Sequence, residues 1–414
     1  MEEKFKKLPL RSGVGIVVLN KENKVFVAKR IDNPKNFWQM PQGGVDCGED
    51  FLTAAYRELK EETSIKNVKL IQEIDGITTY ELPKHLIASK PINPRDAARM
   101  LVVNDSIEDS TIKKVADYLT SKDIIVFNDT RVMPVRLRGL KDNNKIELTL
   151  IKHLETNIWR SFAKPARRLK RGNEIIFGPN FNAKVISRNG PEVDIQFLTD
   201  KDNISSLLDK YGEMPIPPYI DRKLGSKPED WDNYQTIFAK NPGAIAAPTA
   251  GLHFTNNLLR TIEKKGINHV FTTLHVGAGT FVPVKVKDTN DHIMHSEYFR
   301  ISQETVEVIE EKRRKGGRVV AVGTTSLRVL ESAITNKGKL QAREGETSLF
   351  ITPGYKFKVV DILLTNFHLP CSTLFMLVSA FIGNEKALMA YSHAINEEYR
   401  FYSYGDASLL FRSS

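Results

Sequence analysis

Cysteine is nearly missing from this chain. Its two cysteines, Cys47 and Cys371, are too few and too far apart for a disulfide framework or a thiolate zinc site. Long apolar runs are missing too. The longest, Leu374 to Gly383, falls well short of the roughly 18 residues a membrane span requires, so a buried core helix is expected there and no membrane partner. No apolar stretch follows the charged start Met1-Glu2-Glu3-Lys4, which argues against a secretory signal. These absences point to the cytoplasm. A disordered chain is excluded by 41% hydrophobic and 27% charged residues. At roughly 150 residues per domain, 414 residues predict two or three domains.

Acidic residues are in short supply, and unevenly. The chain has 60 Lys and Arg against 50 Asp and Glu, a net charge of +10. Residues 1–76 hold 13 basic against 12 acidic side chains, and the remainder holds 47 against 38. The excess therefore sits in the C-terminal part, where it suits a polyanionic partner. Many basic proteins touch no nucleic acid, so charge alone leaves both readings open.

What is present begins with two apolar runs, Gly13 to Leu19 and Val25 to Ala28. Asn20-Lys21-Glu22-Asn23 separates them, which reads as a hairpin. The segment Phe37-Trp38-Gln39-Met40-Pro41-Gln42-Gly43-Gly44 is too rich in Gly and Pro for regular structure. Glu49 to Thr63 then reads as a helix with Leu52, Ala55, Tyr56 and Leu59 on its apolar face. Glu58, Glu61 and Glu62 stand at i, i+3, i+4, so their carboxylates share a face and repel, which a hard cation such as Mg²⁺ would relieve. An isolated triplet would be a solvated acidic face. This one is not isolated: Gly43, Glu49, Arg57-Glu58-Leu59-Lys60-Glu61-Glu62 and Ile65 fall at the spacing of the Nudix box, which the segment resembles. The preceding Trp38 to Gly44 is similar to the RNA pyrophosphohydrolase branch of that family. Ser64 stands where the family has Gly. The resemblance implies Mg²⁺ on Glu58, Glu61 and Glu62, and diphosphate hydrolysis. Only one further strand, Val68 to Ile74, follows the box before the sequence changes character. An incomplete α/β/α Nudix fragment is expected, vestigial because half a sheet leaves edges unpaired and core uncovered.

From Tyr80 onward three apolar runs end in polar clusters. Asp123 to Phe127 runs into Asn128-Asp129-Thr130-Arg131; Arg318 to Gly323 into Thr324-Thr325-Ser326 and a helical pattern; Val359 to Leu364 into Thr365-Asn366-Phe367-His368, with a helix from Ser372. Continuous β-branched runs suit strands buried on both faces, and ligands of such sheets bind beyond the strands' carboxyl ends, so one convergent site is expected. The Gly323-Thr324-Thr325-Ser326 turn could offer backbone N–H groups to a carboxylate or phosphate, or simply cap its own helix. Five of nine histidines fall in compact motifs: His253, His275, His292, His295 and His368. Their setting beside Gly-rich turns suits proton transfer near neutral pH, and His292, His295 and Glu297 weakly suggest a metal. Between Val135 and Asp221, short strands at Ile146 to Ile151, Glu174 to Phe177, Ala183 to Ile186 and Val193 to Phe197 read as a small barrel or sandwich. Within it, Trp159 to Gly172 interleaves aromatic and basic residues; it is a solvated loop or a contact for RNA phosphates and bases.

Together these motifs, with Asn93-Pro94-Arg95-Asp96, Tyr234-Gln235-Thr236, Pro353-Gly354-Tyr355 and Tyr399 to Asp406, closely resemble the S-adenosylmethionine:tRNA ribosyltransferase-isomerase (QueA) family from about Tyr80 to Phe411. The resemblance implies an α/β fold with an inserted small β-barrel. The expected domains are a truncated Nudix-like segment at 1–76, an α/β domain in two parts at 77–134 and 222–414, and the barrel at 135–221. It implies transfer and isomerisation of the ribosyl part of S-adenosylmethionine onto 7-aminomethyl-7-deazaguanine at the tRNA wobble position, giving epoxyqueuosine. S-adenosylmethionine is then a substrate, no metal is required, and a cytoplasmic monomer is expected. Expected roles are proton transfer for His253 and His275, and orientation for Asp129 and Arg131. The methionine carboxylate falls to Thr324, Thr325 and Ser326, with Gly277, Gly279, Asn366 and His368 completing the S-adenosylmethionine site. Arg167, Arg168, Lys170 and Arg171 are expected to contact tRNA. Competing readings are a Nudix-type RNA 5′ pyrophosphohydrolase, alone or in a bifunctional fusion, and a non-catalytic tRNA-binding remnant. The second is separated from the transferase by the completeness of its motifs, the third by assay.

Overall fold

The computed structural model describes residues 13–22, 24–29, 38–45, 49–71, 82–199, 201–217, 219–220, 225–277, 294, 296–335, 338–370 and 372–413. The chain divides into two compact units, Met1–Thr78 and Thr79–Ser414.

In the first unit the described sheet is sparse. Gly13–Gly15 pairs with Gln42–Gly44, and Ala28–Lys29 with Trp38–Gln39, both antiparallel. The expected hairpin survives as a single bridge, Leu19 to Val25, with Phe26 N–H donating to the Val18 carbonyl at 2.8 Å. The helix runs Phe51–Thr63. It starts there because the Asp50 carboxylate accepts from the Leu52 and Thr53 amides at 3.1 and 3.0 Å, a cap worth about 1 kcal/mol. It ends at Ser64, whose φ of 60° costs a side-chain-bearing residue roughly 1 kcal/mol where Gly would cost little. The expected apolar face needs correction. Ala54 and Leu59 are buried, whereas Tyr56 is 41% exposed, because two- and three-residue strands cover so little of the helix. The strand expected over Val68 to Ile74 is absent at residues 68–71, and 72–74 lie outside the described residues.

The second unit is built on a nine-stranded sheet. In chain order its strands are β1 (Arg99–Val103), β2 (Ile107–Thr111), β3 (Ile124–Asn128), β4 (Asn268–Leu274), β5 (Glu297–Ile301), β6 (Val319–Val322), β7 (Arg343–Thr347), β8 (Ile362–Asn366) and β9 (Ala407–Phe411). Across the sheet they run β7-β5-β4-β3-β6-β8-β9-β1-β2. The central four, β4, β3, β6 and β8, are mutually parallel. Alternation along them feeds two cores. Ile124, Val126, Val319, Ala321 and Leu363 pack with Leu327, Leu330, Phe381 and Tyr391 from helices Gly323–Ser332, Thr373–Ile382 and Asn384–Asn396. Ile125, Phe127, Val320, Val322 and Leu364 pack with Val115, Leu258 and Ile262 on the other face. A side chain so buried contributes about 1.5–3 kcal/mol, and Ile125→Ala would cost roughly 2–5. Among the described residues no single helix is long and apolar enough to cross a membrane; the apolar Thr373–Ile382 bends by 115° into its successor.

Between β3 and β4 the chain forms a closed six-stranded barrel. Its order is Asn144–Glu155, Ile158–Lys164, Glu192–Phe197, Phe181–Asn189, Glu174–Gly178, Arg136–Lys141. Two strands were not expected. Arg136–Lys141 has only Leu137 and Leu140 as large apolar residues, and the start of the aromatic-basic stretch is the strand Ile158–Lys164 rather than a loop. Phe181 and Phe197 stack in the barrel core at 5.1 Å.

Candidate functional site

Because β4, β3, β6 and β8 are parallel neighbours, their carboxyl ends share one edge of the sheet. At that edge Asn128 bonds two strand ends together. Its Oδ1 accepts from the Thr130 and Leu274 amides, both at 3.1 Å, and its Nδ2 donates to the Leu274 carbonyl at 3.0 Å. This fixes Asp129 and His275, the residues that follow. The Asp129 carboxylate accepts from Thr273 Oγ1 at 2.7 Å and Asn241 Nδ2 at 2.9 Å. His275 Nδ1 lies 2.8 Å from Thr130 Oγ1, and its ring stacks on Tyr298 at 5.2 Å. Beneath the ring runs Gly243, where a Cβ would come within 2.6 Å of Nε2, so only glycine fits. Burial lowers the His275 pKa, and the nearby Asp129 charge opposes it. The imidazole is neutral at pH 7 with an acid-stabilising carboxylate close by. Arg131 is exposed, and its side chain makes no hydrogen bond or ion pair among the described residues.

His253 lies in a second group. The Asn366 amide donates to His253 Nε2 at 3.3 Å and to the Tyr402 carbonyl at 3.1 Å, while its Oδ1 accepts from Thr249 Oγ1 at 3.1 Å. Burial, then the Arg400 charge, push the His253 pKa down to about 4, against a hydrogen bond to the Arg95 carbonyl. The pattern requires neutral His253 with its proton on Nδ1. His368 is likewise pushed down to about 3 by burial, with Thr365 Oγ1 3.3 Å from Nε2.

The helix Gly323–Ser332 starts at the end of β6. Its N-cap is Val322, which offers no capping side chain. The Thr325 and Ser326 hydroxyls are buried without a hydrogen-bond partner. The capping explanation therefore fails for this turn, and the first amides are left available to an anion. Farther along the same helix, Arg328 forms a buried ion pair with Glu297. Glu297 Oε1 also accepts from the Gly277 amide at 2.8 Å, tying the histidine segment to the helix. Asp129, His275, the 324–326 turn, Asn366 and His368 thus all stand at the carboxyl ends of the sheet. Gly279, His292 and His295 lie outside the described residues. Among the described residues no cluster could hold a metal ion.

Sequence reasoning missed Asn241, Thr273, Tyr298 and Arg328. The one usable signal was Thr273, whose alternation with Leu274 along a strand places it on the Asp129 side. The basic residues Arg167, Arg168, Lys170 and Arg171 lie on the barrel instead, all exposed, and of their side chains only that of Arg168 is bonded among the described residues, to Asn144 Oδ1 at 3.4 Å. In the first unit Arg57 engages Glu49, Glu58 and Glu61 at 2.7, 2.9 and 3.3 Å, and Glu62 accepts from the Gln42 amide at 2.9 Å.

A family model described as queuosine biosynthesis protein matches residues 78–410, and a NUDIX domain model matches residues 9–105. The S-adenosylmethionine:tRNA ribosyltransferase-isomerase of Zymomonas mobilis subsp. mobilis is 49% identical over 333 residues, 80% of this chain and 97% of the relative. Its counterpart in Rhodospirillum rubrum is 50% identical over 333 residues, 80% of this chain and 96% of the relative. A crystal structure of S-adenosylmethionine tRNA ribosyltransferase from Thermotoga maritima is 33% identical, with a TM-score of 0.47 over 81% of this chain and 99% of that one. The NUDIX match extends past Thr78 into β1, which is a strand of the second unit's sheet.

Proposed function

This chain belongs to the queuosine biosynthesis protein family, and from that membership we propose how its strand-end residues carry out the family's reaction. It is an enzyme, an S-adenosylmethionine:tRNA ribosyltransferase-isomerase. It transfers the ribosyl moiety of S-adenosylmethionine to 7-aminomethyl-7-deazaguanine in tRNA and isomerises it to epoxyqueuosine, releasing adenine and methionine. The function rests on near-50% identity across almost the whole length of curated relatives.

The residue roles rest chiefly on one observation, the uncapped helix start at Gly323 with the unpartnered Thr325 and Ser326 hydroxyls. That arrangement favours the methionine carboxylate as its ligand, since free amides and a helix dipole both reward negative charge. His275 is the proton acceptor. It is neutral at pH 7, and Asp129 stabilises the imidazolium formed when it takes a proton next to the sulfonium or from the aminomethyl group. Thr130 fixes the ring through Nδ1, and Arg131 orients the RNA or ribosyl group with its free guanidinium. His253 holds Asn366 in place, a role its two occupied nitrogens suit better than proton shuttling. Gly277, Gly279 and His368 complete the S-adenosylmethionine pocket, and Arg167, Arg168, Lys170 and Arg171 bind tRNA phosphates. The enzyme works as a cytoplasmic monomer. The N-terminal unit adds no hydrolysis, a reading supported by the two- and three-residue strands that are all the sheet described there.

The test is purified protein with S-adenosylmethionine and tRNA carrying the precursor base, followed by nucleoside mass spectrometry. Epoxyqueuosine is expected with chelator present. No product from a folded preparation would overturn the assignment, and product that chelator abolishes would overturn its independence of metal.

A further inference from the structure

A cleft of about 450 Å³ opens between the Ser89–Arg95 turn, the Lys227–Asn233 segment and Tyr404, and it uses none of the residues assigned above. Three cations line it, Lys90, Arg95 and Lys227. Two carboxylates line it as well, which leaves the cleft a net charge of +1. Asp230 is 1% exposed and its Oδ2 accepts from the Lys227 amide at 2.8 Å. Glu229 is exposed and 3.9 Å from Lys227 Nζ, the kind of surface pair that contributes least.

Arg95 is the informative member. Its Nη1 donates to the Gln235 carbonyl at 2.9 Å and its Nη2 to the Asp232 carbonyl at 2.5 Å. Among the described residues it forms no ion pair. The two carbonyls fix the orientation of the guanidinium, and although burial lowers its pKa against the nearby Asp232 charge, an arginine so placed is still charged at pH 7 and suits a phosphate oxygen. Asn93 and Asn233 add amide groups beside the cations, and the buried Tyr404 closes the cleft from below.

The walls of this cleft are bonded to the strand-end site. The Arg95 carbonyl accepts from His253, and Arg400 Nη1 donates to the Lys90 carbonyl at 3.3 Å. Tyr404 belongs to the same short loop as Tyr402, whose carbonyl accepts from Asn366 at 3.1 Å. We propose that the cleft seats a backbone phosphate of the RNA substrate and thereby sets the RNA's register at the strand ends. This rests on the function proposed above, with RNA as substrate. A phosphate ester could also arrive as a free nucleotide, so the experiment separates the two.

The full-length chain carrying Lys90→Ala and Lys227→Ala removes two exposed side chains, and a second variant, Lys113→Ala with Lys114→Ala, removes two exposed lysines elsewhere on the same unit. tRNA binding is measured by fluorescence anisotropy between about 50 and 200 mM salt. The cleft variant should lose roughly one unit or more from the slope of log affinity against log salt, while the other keeps it. S-adenosylmethionine binding, read by calorimetry, should stay within about twofold in both. An unchanged slope, or equal flattening in both variants, overturns the proposal. So does AMP that binds the unaltered chain and not the cleft variant while the tRNA slope is unchanged, since a free nucleotide then owns the site. Failure of the unaltered chain to bind tRNA would overturn the function proposed above, and the cleft's role with it.

Discussion

In the unit ending at Thr78 the strands run two or three residues, and Val17, Val25, Val27 and Ile71 are between 45% and 80% exposed. In the unit that begins at Thr79, three of the four neighbouring parallel strands, β3, β6 and β8, are buried along their whole length, and the strand ends hold Asn128 and Asn366 by paired hydrogen bonds and His275 through Thr130. Both units spell a motif with the right residues at the right spacing. The difference lies in what fixes them. A glutamate on a helix that covers only Ala54 and Leu59 is held by its neighbour Arg57, whereas His275 is held by residues drawn from three other segments. The proposed chemistry is assigned to the second kind of support, because catalytic geometry tolerates little slack.

The comparison breaks or holds first at His275. Changing His275 to Ala should lower kcat by about 10²–10⁴ in the nucleoside assay, whereas Glu61→Gln should leave it unchanged. Equal losses from both would end the contrast between the units. The sign of the pH dependence follows from the lowered His275 pKa: activity should be full at pH 7 and fall only on the acid side, below about 6.5, as the base takes a proton. A fall beginning on the alkaline side would assign the limb to another group.

The next effect is on stability. His253 and His368 have folded pKa values of about 4 and 3, below that of an unfolded histidine near 6.5. As pH drops through 6.5 the unfolded chain takes up protons that the folded chain refuses. Stability is therefore complete above 6.5 and is lost progressively toward pH 4, by about 3 kcal/mol for His253 alone. Residues 1–78 contain no histidine, so this loss belongs to the second unit. Urea titrations at pH 7 and 5 measure it, and equal midpoints would contradict the buried neutral imidazoles.

Ser326→Ala should raise KM for S-adenosylmethionine about tenfold with little change in melting temperature, since the hydroxyl has no partner to lose. A lowered melting temperature at constant KM would return it to a structural role. Arg167→Ala with Arg168→Ala should flatten the salt dependence of tRNA binding by roughly one to two units. The smallest expected effect is on removal of the N-terminal unit. A chain beginning at Asp75 should transfer ribose within about twofold of the whole protein's rate, because both core clusters around the sheet lie in the second unit. Residues 1–76 alone should be unfolded by circular dichroism and release no pyrophosphate from 5′-triphosphorylated RNA with Mg²⁺. A soluble but inactive shortened chain, or pyrophosphate from the fragment, would break the comparison from either side.

Legibility in the sequence tracked burial. Ile124–Asn128, Val319–Val322 and Ile362–Asn366 stood out because strands covered on both faces need unbroken apolar runs, and their polar successors then marked one edge. Arg136–Lys141 was hidden because a barrel strand buries only alternate residues, here Leu137 and Gly139, so a single buried leucine is swamped by a basic outer face. Around His275, Thr130, Asn241 and Tyr298 come from segments that only sheet pairing brings together, so spacing along the chain carried no trace of them. The Thr325 and Ser326 hydroxyls were ambiguous for a different reason. Whether a hydroxyl caps its own helix depends on which residue enters first, and here Val322 does.

The placement of the barrel has a consequence in time. β3 pairs with β4 in the register Ile124 to Asn268, and the Arg318 amide that precedes β6 donates to Asp123, 195 residues earlier. At roughly 10 residues per second of synthesis, β3 leaves the ribosome about 20 seconds before β6 can join it. The barrel core, from Val135 to Leu208 apart from Ile245, is complete well within that wait. A nascent chain would therefore carry a finished barrel beside a bare strand of Ile124, Ile125, Val126 and Phe127, an apolar segment open to a chaperone during its birth.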